Sequence, residues 1–149
     1  MKISIGCDEA GFELKQIIIK HLINLGHDVK DCGSYNTNPV LYPEIGKIVA
    51  EDVANGISER GVLICGTGIG MCITANKVPG IRAAVCHDSF STVRSRCSND
   101  SQIICMGARV IGPELAKQLV TMWLENDFSG GNSTQKVELI SEIEALYAK

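Results

Sequence analysis

A cysteine heads a run of alternate glycines, Cys65-Gly66-Thr67-Gly68-Ile69-Gly70. Glycines spaced in this way leave backbone N–H groups free to converge at the start of a following helix, which makes an anion-binding nest. A thiol beside such amides has its thiolate favoured relative to a free cysteine, whose pKa is about 8.5. Cys65 is therefore placed as a base. The same amides would hold the negative oxygen formed when a proton leaves a carbon next to a carbonyl. The plainer reading is a buried structural cysteine, since free Cys is among the most buried residue types.

Other uses of the loop fit less well. A nucleotide-hydrolase phosphate loop needs Lys and Ser/Thr after its last glycine, where this chain has Met71 and Cys72. A dinucleotide fingerprint would need one more residue before Gly70; Asp88 at the end of the next strand keeps the idea open, but no substrate domain fits in the rest of the chain. A cysteine hydrolase would need a base, and His87 is the one histidine at a predicted strand end, which leaves that chemistry as a minor alternative.

Three further clusters sit where strands should end: Cys7-Asp8-Glu9, Cys86-His87-Asp88 and Met106-Gly107-Ala108-Arg109. Asp8 occupies an N-cap position and is also a catalytic candidate. Arg109 is either an anion anchor or a solvated loop charge. His21 and His27 lie away from the strand ends and read as structural or surface residues.

The elements that must position these groups are a parallel α/β sheet. Ile- and Val-rich runs followed by helix-length amphipathic segments recur at Lys2 to Cys7, His27 to Asp31, Gly61 to Cys65, Ile81 to Cys86 and Ser101 to Met106. In such a sheet, ligands bind beyond the carboxyl ends of the strands. The spacing predicts a first helix over Phe12 to Leu25, stopped by Gly26. Pro113 opens a helix through Leu124, as a first-turn proline favours. Ser34 to Pro43 and Asp127 to Thr134 read as polar loops. The last segment, Val137 to Tyr147, puts Val137, Ile140, Ile143, Leu146 and Tyr147 on one helical face, which packs either on its own domain or on a partner subunit.

With 149 residues and 45% hydrophobic content, the chain reads as one domain over 1–149. Its 7 cysteines cannot all pair, none lie in a C-x-x-C arrangement, and no secretory leader opens the sequence, so reduced thiols in the cytoplasm are expected. The longest apolar stretch, Gly61 to Ala75, is broken by glycines and falls short of the roughly 20 residues of a membrane span. A charge of −3 with scattered basic residues gives no footprint for nucleic acid. Small molecules or another copy of the chain are the expected partners.

Gly6-Cys7-Asp8, the cysteine-headed glycine loop, Ala75-Asn76-Lys77, Gly80-Ile81-Arg82-Ala83, Asn99-Asp100 and Gly107-Ala108-Arg109-Val110 occur in order. In these motifs the chain resembles the type B ribose-5-phosphate isomerases and their galactose-6-phosphate isomerase relatives, over essentially its whole length. The resemblance implies a Rossmann-like three-layer α/β/α enzyme with a five-stranded parallel sheet and an extra C-terminal helix. It further implies a homodimer with active sites at the subunit interface, pairing of dimers into tetramers being left open, and no metal or organic cofactor. By the same resemblance Cys65 shuttles a proton between C1 and C2 through an enediolate, Thr67 assists at the substrate oxygens, and the amides of Gly66, Gly68 and Gly70 stabilise the enediolate. Tyr42 and Asn99 would line the sugar, Asp8 would contact hydroxyls, and Arg109 would belong to the phosphate site.

The chain departs from the family pattern at informative positions. Glu9 replaces a histidine after Gly-Cys-Asp and is counted with the substrate-binding residues. Ser98 replaces the histidine assigned to ring opening. In the C-terminal loop, two arginine grips give way to Asn132 and the point charge of Lys136. Ring opening gains from an acid or base. A tetrose 4-phosphate has its O4 esterified, cannot close a furanose ring, and needs no such residue. The phosphate of a shorter substrate would be held by Arg109, by Lys136, or by Arg94 and Arg96. The alternatives are a pentose 5-phosphate or hexose 6-phosphate isomerase in which Glu9, Asp8 or His87 opens the ring, and a non-catalytic sugar-phosphate-binding subunit.

Overall fold

Alternating side chains along the central strands decide which helices cover which face of the sheet. The computed structural model describes residues 1–148. Five parallel strands, β1 (Lys2–Cys7), β2 (Asp28–Asp31), β3 (Arg60–Cys65), β4 (Ala83–Val85) and β5 (Ile103–Gly107), pair in the order β2-β1-β3-β5-β4. The helices are α1 (Phe12–Asn24), α2 (Tyr42–Ala54), α3 (Ile69–Ala75), α4 (Ser89–Cys97), α5 (Pro113–Leu124) and α6 (Thr134–Tyr147). Short 3-10 turns precede α1 at Glu9–Gly11 and α6 at Gly131–Ser133.

On one face, Ile3, Ile5, Val62, Ile64, Ile104 and Met106 meet Ile18 and Leu22 of α1 and Val120 and Trp123 of α5. On the other, Leu63, Cys65, Ile103 and Cys105 meet Val49 and Ala50 of α2 and Met71 and Ala75 of α3. The result is the expected three-layer α/β/α arrangement with a five-stranded parallel sheet. Trp123 is wholly buried, with the Arg60 guanidinium 5.3 Å from its ring.

Boundaries move where side chains replace ladder hydrogen bonds. Gly26, at φ 88, ends α1 as expected, one residue earlier than periodicity predicts. The fourth run shrinks to three residues because the Asn76 side chain accepts the Ala83 N–H (2.9 Å) and Gln102 accepts that of Arg82 (2.7 Å). The final helix starts at Thr134 instead of Val137. Of its apolar residues only Val137 is buried; Ile140 and Ile143 are half exposed and Leu146 and Tyr147 more so. The loop before it is held to the sheet's amino edge by Arg60, which donates to the Asn126 carbonyl and Asp127, and by the Ser129 N–H donating to the Cys97 carbonyl; on the helix itself the Glu144 carboxylate accepts the Gly80 N–H. All seven cysteines are free thiols. Among the described residues no helix is long and apolar enough to cross a membrane.

Candidate active site

From β1 the chain runs outward to β2, whereas β3 lies on the other side of β1, so a crevice opens at the carboxyl ends of these two neighbours. Asp8 and Cys65 stand on its two sides. The Asp8 N–H donates to the Ile64 carbonyl (3.2 Å), and its carboxylate accepts the N–H groups of Ala10 (3.0 Å) and Gly11 (3.1 Å). The expected capping role is thus real, though the capped turn is 3-10. Burial pushes the Asp8 carboxyl above its usual range and the Glu9 charge adds to this, while the Gly11 and Ala10 amides and Arg109 pull the other way.

Cys65 is 5% exposed, and its sulfur accepts the Gly68 N–H at 3.1 Å. That approach needs Gly68 at φ 78, and a Cβ there would come within 2.9 Å of the Met106 backbone. The exposed Thr67 hydroxyl accepts the Ile69 N–H (3.2 Å), which leaves its own proton to give. A Cβ at Gly70 would lie 2.7 Å from the Tyr42 ring, so that ring rests on the loop at the start of α3. Arg109 lies over Gly66, its side chain 3.6 Å from where a Cβ would be. The Ala108 N–H to Cys65 carbonyl (2.8 Å) and Arg109 N–H to Gly66 carbonyl (3.1 Å) bonds fasten the end of β5 to the cysteine loop.

Glu9 accepts the Val40 N–H (3.2 Å) and so ties down the loop that leads into Tyr42. Lys15 holds the same loop from below. Wholly buried, it donates to Asp31 (2.5 Å) and to the Ser34 carbonyl (2.6 Å). Sequence reading missed this lysine, although a cation inside the apolar stripe of α1 was a visible signal. Burial pushes the neighbouring Cys7 thiol up to about 11, whereas Cys72 falls to about 7, chiefly through a hydrogen bond from Cys105.

One chain thus brings together Asp8, Glu9, Tyr42, Cys65, Gly66, Thr67, Gly68, Gly70 and Arg109. It does not bring in Asn99 or Lys136. The Asn99 carbonyl accepts from Arg82 (3.1 Å) beside Gln102, whose carbonyl takes the Gly61 N–H at the amino start of β3. Lys136 rides on α6 along that same edge. Arg96 is buried and committed to the Ser101 carbonyl and Asp100, so it is not a phosphate grip; Arg94 bonds the Ser98 hydroxyl. A cavity of about 460 Å³ between α1 and α5, lined by His21, Glu114, Lys117 and Thr121, lies on the helices' outer side, away from the strand ends and Cys65. All three histidines are engaged: His21 with Thr121 (2.6 Å), His27 with the N-terminus (3.4 Å), and His87 with the Gly107 N–H (2.8 Å).

The sequence profile described as Ribose/Galactose Isomerase matches residues 3–140. The chain is 56% identical to "Ribose-5-P isomerase B" of Listeria innocua, over 97% of each protein. It is 49% identical to "D-erythrulose-4-phosphate isomerase" of Pectobacterium atrosepticum, over 97% of this chain and 95% of that one. The fold superimposes on ribose-5-phosphate isomerase B of Clostridium thermocellum with a TM-score of 0.98 at 47% identity, covering 99% of this chain and 100% of the other. With a glycine-loop cysteine at the sheet's switch point and these likenesses along its length, the chain belongs to the Ribose/Galactose Isomerase family of sugar-phosphate isomerases.

Proposed function

We propose that the protein is a cofactor-independent aldose–ketose isomerase that moves a proton between C1 and C2 of a tetrose 4-phosphate of the erythrose/erythrulose type. Cys65 is the base. In the aldose-to-ketose direction its thiolate takes the C2 proton, and the C–H electron pair forms the C1–C2 double bond while the carbonyl oxygen becomes an enediolate oxygen. Thr67 passes the hydroxyl proton of O2 to O1, and Cys65 returns its proton to C1. Atoms and electrons balance without any external oxidant or reductant. The amides of Gly66 and Gly70 flank the enediolate, the Gly68 N–H being turned to sulfur in the resting chain. Arg109 over Gly66 supplies a cation for the phosphate.

The observation that carries the substrate is that no histidine stands at the crevice as a free base: His21 lies on the helices' outer side with Thr121, and His27 beside the N-terminus at the start of β2. His87 has its Nε2 lone pair filled by Gly107, and a second copy would bring only the same three. A substrate that cannot close a furanose ring makes no demand on them. The name of the Pectobacterium atrosepticum relative supports this reading, and that of the Listeria innocua relative favours pentose 5-phosphate. Tetrose 4-, pentose 5- and hexose 6-phosphates assayed side by side separate the two. The expected kcat/KM is at least about tenfold higher for the tetrose, about 1.4 kcal/mol of barrier; faster turnover of the pentose would overturn the substrate assignment.

Asn99 and Lys136 reach such a site only from another chain. The exposed apolar face of α6 supports a homodimer in which each copy brings these residues to the other's crevice. The seven free thiols fit the reducing cytoplasm.

A further inference from the structure

Strand β4 stops before its neighbour does. The β4–β5 ladder ends at Val85 opposite Cys105, with the Cys86 N–H still reaching the Cys105 carbonyl (3.0 Å), while β5 continues to Gly107 beside Cys65 on β3. Successive N–H groups of a strand point to opposite sides. The Ala108 N–H points to β3, where it meets the Cys65 carbonyl, so the buried Gly107 N–H points toward the space where β4 has ended. Left alone it would be a buried orphan donor, which is costly. The His87 ring fills that space, with Nε2 2.8 Å from the Gly107 nitrogen. A backbone N–H can only donate, so Nε2 is the acceptor and the ring is the neutral Nδ1–H tautomer.

Gly107 is also where β5 presses on the cysteine loop. A Cβ there would lie 2.7 Å from the Thr67 backbone and 2.8 Å from the Gly66 carbonyl oxygen. The next two amides hold the carbonyls of Cys65 and Gly66, and the Arg109 side chain extends from the same turn over Gly66. We infer that His87 is a positioning residue for the isomerisation, holding Gly107 so that the cysteine loop and Arg109 keep their mutual geometry. It acts through the Gly107 N–H and makes no hydrogen bond to the Cys65 sulfur. The functional half of this inference rests on the proposed site at Cys65.

The test compares His87→Gln, whose amide oxygen reaches about as far as Nε2, with His87→Met, which offers no comparable acceptor. Activity is measured at 25 °C on whichever sugar phosphate the wild type turns over fastest, with Gly107 amide exchange followed by NMR and iodoacetamide labelling of Cys65 mapped by mass. His87→Met should lose about tenfold to a hundredfold in kcat with a raised KM, as misplacement of a site by about 1 Å does. Its Gly107 amide should exchange faster and its Cys65 labelling rate should change. His87→Gln should recover kcat to within about threefold and restore Gly107 protection. Equal activity of the two variants, whether full or equally impaired, would overturn the inference. Gly107 exchange and Cys65 labelling report the linkage even if no sugar phosphate is turned over, so failure of the isomerase reading is seen separately. If His87→Met does not accumulate, ¹⁵N shifts of the wild-type ring decide: the Nδ1–H tautomer supports the inference and the Nε2–H tautomer refutes it.

Discussion

A methyl group at position 70 has nowhere to go except into the Tyr42 ring, 2.7 Å away. Gly70→Ala should therefore push Tyr42 off the loop and raise KM several-fold while leaving Cys65 in place. Steady-state kinetics check this, and an unchanged KM would contradict it. Asp8 gives a prediction with a definite sign. Its carboxyl is raised in the folded chain, mainly by burial, so just above its ordinary value of 3.8 the native state holds more of the proton than the unfolded state does. Stability then falls as pH rises through that window, and ionised Asp8 is a net cost at neutral pH. Asn is neutral and caps equally well. The Tm of Asp8→Asn minus that of wild type should be more positive at pH 7 than at pH 3.5, as thermal unfolding at the two pH values will show; the reverse order would contradict the burial argument. Cys65, Asp8 and the glycines were legible in the sequence because their signal is local: a motif, a cap position, a strand end. The contacts of His87 and Lys15 were not, although His87 stood at a strand end and Lys15 inside an apolar stripe. Their partners, Gly107 and the Ser34 carbonyl, are distant in sequence, and only the fold brings them close.

At the scale of elements, periodicity located all five strands and the first, fifth and last helices, since each buries one face. Strand order was not written there. Nothing in the Ile/Val runs says that β5 slips between β3 and β4, yet that insertion sets Arg109 over Gly66 and leaves β4 at the edge. The loop ahead of α2 read as polar and uncommitted, but Lys15 and Glu9 fasten it at both ends, so Tyr42 is delivered to the site by a fixed strap. Glu9 accordingly serves the loop directly, whichever sugar the site accepts.

The whole molecule has a carboxyl edge bearing Cys65 and an opposite, amino edge bearing Asn99 and Lys136. In the proposed homodimer, the exposed Ile140 and Ile143 of α6 lie on the surface that a second copy would cover. Ile140→Glu combined with Ile143→Glu should give folded monomers by sedimentation velocity, with activity reduced at least about tenfold. A double variant that stays dimeric and fully active would contradict the shared-site arrangement. The most direct test of Cys65 as the base is solvent-deuterium incorporation at C1 and C2 of erythrose 4-phosphate by wild type and by Cys65→Ala. Wild type should exchange hydrogen at these carbons as it isomerises, and Cys65→Ala should lose about 10²–10⁴-fold in that rate while the sugar phosphate still raises its Tm. Exchange by Cys65→Ala at the wild-type rate, or ligand-stabilised wild type with no exchange at all, would contradict Cys65 as the base.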